Sequence, residues 1–109
     1  MNSEYFVVLT TCPDNASAEI LARRLVEEQL AACVNRLSGV RSTYRWQGAV
    51  HDDAEVLLIA KTSASRVATL SARIQELHPY ELPEVIALPV ALGAERYLDW
   101  IGQTVADPT

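Results

Sequence analysis

The sequence predicts an α+β sandwich in which four strands and two helices alternate as β-α-β-β-α-β, followed by a terminal helix. Three observations carry that prediction. Short apolar runs rich in β-branched and aromatic residues occur four times, segments between them repeat apolar residues at three and four positions, and Gly, Pro and Asp mark the junctions. With 109 residues, half of them apolar, the chain can bury a core of its own, so one domain over residues 1–109 is expected.

The first strand is "EYFVVLTT" (4–11), closed by Pro13 and Asp14. Asp14 or Asn15 then offers a side-chain oxygen to a free first-turn N–H, and Ala18, Leu21, Ala22, Leu25 and Val26 form one apolar stripe of a helix running to about Leu30. "ACVNRLSGVRSTYRW" (32–46) returns to strand composition, "QG" (47–48) supplies a turn, and "AVHDDAEVLLIAKT" (49–62) is strand again, so the two make one long hairpin. Ser63 or Ser65 is the expected cap of a second helix whose Val67, Leu70, Ile74 and Leu77 share a face. His78-Pro79 ends it, because the residue before a proline is pushed out of the helical region. "EVIALPVAL" (84–92) is the fourth strand, Gly93 breaks it, and residues 94–106 form the last helix.

This order is the split βαβ arrangement of ferredoxin-like domains. A right-handed crossover makes strands one and two parallel, with strands three and four running against them. Thr10, Thr11, Cys12 and "HPYELPE" (78–84) then meet at one end of the sheet, which we call the top, and Cys33 lies at the bottom. The two cysteines are therefore expected to stay unbridged, with Cys12, at a loop edge, the more reactive thiol. Strands of about fourteen residues reach about 46 Å, more than a globule of this size spans, so the hairpin arms overhang the domain and invite another chain.

A net charge of −5 with scattered Lys and Arg argues against nucleic acid as a partner. No apolar run approaches a membrane span, and the N-terminus lacks a basic segment followed by a signal-type apolar stretch, so a cytoplasmic location is expected. Neither a Gly-rich phosphate loop nor a Gly-x-Ser-x-Gly elbow is present, and no nucleophile, base and orienting group occur together, so an enzyme is not expected.

"TTCPD" (10–14), "LAACVN" (30–35), "YRWQG" (44–48), "LLIAKT" (57–62) and "HPYELPE" (78–84) appear in order at spacings that resemble CutA, the divalent-cation tolerance family, over roughly residues 5–101. The resemblance implies a homotrimer similar to PII signalling proteins, with hairpins pairing across subunits and clefts between them. It also implies a copper connection, drawn from bacterial members with a cysteine at the position of Thr10 and a histidine at that of Leu77; His78 alone matches their ligand set. Cys12, two residues beyond Thr10, shares its strand face and could replace the missing thiolate.

The candidate metal ligands are therefore His78, Cys12 and Glu81, with copper or another divalent cation as the expected guest. For His78 the competing reading is a helix terminus, since a histidine there interacts favourably with the helix's negative end. Glu84 is a further rim carboxylate, while His51, Asp53 and Glu55 fall on one strand face that reads first as a solvated arm of the hairpin. Tyr44, Trp46 and Trp100 are expected to bury area at a subunit contact or in the core, and Lys61 either to anchor a carboxylate in a cleft or to lie over the sheet edge. Two functions follow as expectations: a trimeric metal-response protein binding a cation at its clefts, or a PII-like module recognising a small anionic ligand and a protein partner of unknown identity.

Overall fold

In the computed structural model, which describes residues 3–106, the chain begins with strand β1 (Tyr5–Cys12). Asp14 caps helix α1 (Asn15–Glu27) by accepting the Ser17 backbone N–H at 2.8 Å. The helix stops three residues short of the expected Leu30. Gln29 adopts a left-handed φ of 58°, and the N–H groups of Gln29 and Leu30 return to the carbonyls of Val26 and Leu25. That pairing closes the helix end in the manner usually reserved for glycine, so apolar Leu30 enters the core as loop rather than helix.

β2 (Cys33–Trp46) and β3 (Ala49–Ser63) form the expected hairpin, joined by Gln47 and Gly48, both at positive φ as a tight type I′ turn requires. Helix α2 (Val67–Leu77) follows, but neither Ser63 nor Ser65 caps it. Those two hydroxyls bond each other at 2.9 Å, and the turn is closed by the Arg66 N–H on the Ser63 carbonyl. β4 is only Ile86–Pro89, shorter than the expected 84–92. It is an edge strand, and Pro89 cannot donate to a ladder. Helix α3 (Glu95–Thr104) closes the fold.

The sheet order is β2-β3-β1-β4, with β3 antiparallel to both β1 and β2 and β4 antiparallel to β1. β1 and β2 are thus parallel, as the crossover rule demands. Val8 and Cys12 of β1 with Val56, Leu58 and Ala60 of β3 make one buried face, covered by Leu21 and Leu25 of α1 and Leu70 and Ile74 of α2. α3 packs Ile101 and Val105 on Ala32 and Tyr5 at the lower end. Alternation places Val7, Leu9, Leu57, Ile59, Ile86 and Leu88 on the opposite face, in register with one another. No other helix covers them among the described residues.

The register of β2 against β3 slips once. Leu37 pairs with Leu57 but Val40 with Glu55, so β2 carries one extra residue at Ser38-Gly39, where Gly39 has a φ of 83°. Beyond this bulge the arms continue to the Trp46–Ala49 pair, and the molecule measures 44 × 28 × 22 Å, the long dimension expected of overhanging arms.

Candidate functional site

Residues 78–84 join α2 to β4 at the top of the sheet, and His78 anchors them. Pro79 forces it out of the helix, to a ψ of 141°, and its ring is buried. His78 Nε2 lies 2.6 Å from the Thr11 carbonyl oxygen, which can only accept, so Nε2 carries the ring proton. Nδ1 accepts the Tyr80 backbone N–H at 3.1 Å. Both ring nitrogens are therefore engaged in fixing the joint.

Tyr80 is held three times over. Its N–H is taken by His78, its ring packs against the imidazole at 4.8 Å between centroids, and its hydroxyl donates to Glu55 at 2.8 Å. Burial, and then that bond to a carboxylate, pushes the Tyr80 phenol well above its ordinary range. A second tyrosine repeats the arrangement from the hairpin. Tyr44 donates to Asp53 at 2.5 Å and stacks on His51, and the Asp53 bond raises its phenol too.

These tyrosines face a cleft of about 740 Å³ between the hairpin arm and the 79–84 segment. Tyr44, Trp46, Tyr80 and Leu82 supply its apolar lining, Glu55, Glu81 and Glu84 its charge, and Thr11, Ser42 and Thr43 its hydroxyls. None of the lining residues is basic. Tyr44, Trp46 and Trp100 stand outside the core of the chain, each about two-fifths exposed. The bulge decides the membership of this lining. With Val40 opposite Glu55 and Tyr44 opposite His51, even-numbered residues of β2 share a face with odd-numbered residues of β3; the Leu37–Leu57 register continued with no bulge would set Tyr44 opposite Val50 and point Tyr44 and Trp46 the other way. Alternation alone does not announce this pairing, although a glycine inside a strand pattern, as at Gly39, is the available signal.

Of the three candidate metal ligands, the structure brings two together. Cys12 Sγ lies 3.9 Å from His78 Nε2, both buried under the joint, whereas Glu81 lines the cleft outside. Burial, with smaller contributions from the charges of Asp14 and Glu55, pushes the Cys12 thiol up to about 11. This reverses the expectation for the two thiols: both are free, but Cys12 is buried and protonated while Cys33 is partly accessible. A metal at this pair would need a thiolate and a free imidazole lone pair, and the arrangement offers neither. Among the described residues, no three of His, Cys, Asp and Glu gather as a metal-binding group. The residues of one protomer, as arranged, do not fit a resident metal. His51, Asp53 and Glu55 do share a face, and Tyr44 and Tyr80 are their partners. Lys61 extends over the Tyr97 ring, its Nζ 5.7 Å from the centroid.

The family model for the CutA1 divalent ion tolerance protein matches residues 6–104. The divalent-cation tolerance protein CutA of Thermus thermophilus is 50% identical over 95 residues, 87% of this chain and 92% of its own. Protein CutA of Homo sapiens is 46% identical over 93 residues, 85% of this chain but 52% of its own, so the chain spans about half the length of that relative. The crystal structure of CutA from Xylella fastidiosa superposes with a TM-score of 0.92 at 48% identity, covering 94% of this chain and 99% of the other. With the split βαβ topology, the overhanging hairpin and the "HPYELPE" joint in place, these matches establish that the chain belongs to the CutA1 divalent ion tolerance protein family.

Proposed function

We propose that this chain serves divalent-cation tolerance as a cytoplasmic homotrimer that binds rather than transforms its guest, with copper or a similar cation held weakly at clefts between subunits. The observation that carries this reading is the charge of the cleft: Glu55, Glu81 and Glu84 line it and no basic residue does. Family membership supports the tolerance role. The uncovered apolar face of the sheet supports association, because a contiguous exposed patch of this kind marks a contact surface. Two free thiols accord with a reducing compartment.

Glu81 is the ligand nearest to hand, with Glu84 beside it. His78 and Cys12 would join only by surrendering the bonds that fix the joint, and in this reading they frame the cleft rather than coordinate. The PII-like alternative, a small anionic ligand, would need basic residues brought by neighbouring subunits. Copper titration of the trimer by calorimetry tests the assignment. Glu81→Gln is expected to weaken binding by roughly tenfold, as for loss of a ligand or of its immediate support, and His78→Ala by much less. The reverse order would make His78 the ligand, and unchanged affinity in both would remove the cleft from consideration.

A further inference from the structure

The aromatic half of the cleft has a chemistry that a metal ion does not use. Tyr44, Trp46 and Tyr80 line one volume of about 740 Å³, within the range of small-ligand sites. Two of the three rings are fixed. Tyr80 is clamped by Glu55 and His78, and Tyr44 by Asp53 and the His51 ring. The hydroxyl protons of both tyrosines are already given to carboxylates, so these two side chains offer the cleft ring surface rather than further donors. Beside them, Glu81 and Glu84 add negative charge with no basic residue in the lining.

Electron-rich ring faces beside uncompensated carboxylates attract a cation whose own surface is apolar. A hard divalent ion would bind oxygen and leave the rings unused. A small anion would be repelled. We propose that this cleft binds an organic cation of the methylated-ammonium class, its methyl groups against Tyr44, Trp46 and Tyr80 and its charge facing Glu55, Glu81 and Glu84. The site does not depend on the metal reading, and failure of the copper titration leaves it standing.

Tetramethylammonium is the probe, and tert-butanol, of similar shape but uncharged, its control. In a Trp100→Phe background the Trp46 indole N–H is the one indole resonance left in the NMR spectrum. Titrating the full chain at constant ionic strength should shift it saturably, with a dissociation constant in the millimolar range expected of so small a ligand. tert-Butanol should bind at least tenfold more weakly. Tyr80→Leu and, independently, Tyr44→Leu should each cost roughly tenfold, with circular dichroism and light scattering confirming that each variant keeps its fold and assembly. Equal affinity for tert-butanol would show a merely apolar pocket and overturn the proposal. So would full affinity in both variants, or no saturable shift in the parent, which is the result expected if a neighbouring copy fills the cleft.

Discussion

Cys12 shows how one side chain reports its surroundings. Its thiol is fully buried and pushed up to about 11 from an ordinary 9.0, so the folded chain holds this proton at pH values where the unfolded chain has released it. Between about pH 9 and 11 the unfolded state binds fewer protons, and stability must fall as pH rises through that window. The loss is about 3 kcal/mol when complete, and the raised phenols of Tyr80 and Tyr44 act in the same direction. Thermal midpoints measured across this range should decline less steeply for Cys12→Ala than for the parent, and parallel curves would refute the assignment. At pH 8, an alkylating reagent should modify Cys33 first. The same site marks the limit of residue-level reading. "HP" announces a helix end from two letters, and the joint at His78 was legible for that reason. Tyr80 was not, because its role rests on Glu55, 25 residues away and reached only once the strands are in register.

The elements were legible where local chemistry decides them and misread where a tertiary partner does. The β1 boundaries, the Asp14 cap and the Gln47-Gly48 turn follow from nearest neighbours. α1 was expected to run too far, since nothing in its apolar spacing announces that Gln29 will take the left-handed position usually given to glycine. β4 was expected to be too long, because apolar composition cannot say how far an edge strand stays paired. The most consequential element is the bulge at Gly39. Deleting Gly39 should remove the bend of the bulge while the Gln47-Gly48 turn keeps Val40 opposite Glu55 and Tyr44 opposite His51, so the cleft keeps its rings and β1, α1 and α2 stay packed. Gly39→Ala keeps the residue count and costs only the strain of a Cβ at φ 83°, about 1 kcal/mol. Near-ultraviolet circular dichroism tests both variants: the aromatic bands should persist in the deletion and in Gly39→Ala. Loss of the aromatic bands in the deletion would mean that the bend at the bulge, beyond the strand pairing, sets the cleft.

At the scale of the whole molecule, the sheet is finished on one side only. α1 and α2 seal one face, α3 covers the lower end of the other, and between the open edges of β2 and β4 lie Leu9, Leu57, Ile59, Ile86 and Leu88. Ile86 and Leu88 are 49% and 46% exposed, in a strand that presents all four of its residues to solvent. Such a surface beside unpaired edges is an aggregation hazard unless a defined assembly covers it, and the overhanging arms reach toward the same neighbours. A closed trimer satisfies both demands, because each copy can lend an arm and receive one with no edge left over. Light scattering coupled to size exclusion should therefore give about three times the 12.0 kDa chain mass at micromolar concentration. Ile59→Lys, at the middle of the uncovered face, should release folded monomers, since a buried unpaired charge costs several kcal/mol at the contact yet is tolerated where water can reach it. Retention of the trimer by that variant would place the contact elsewhere, and a monomeric parent would leave the apolar face without the cover this reading assigns to it.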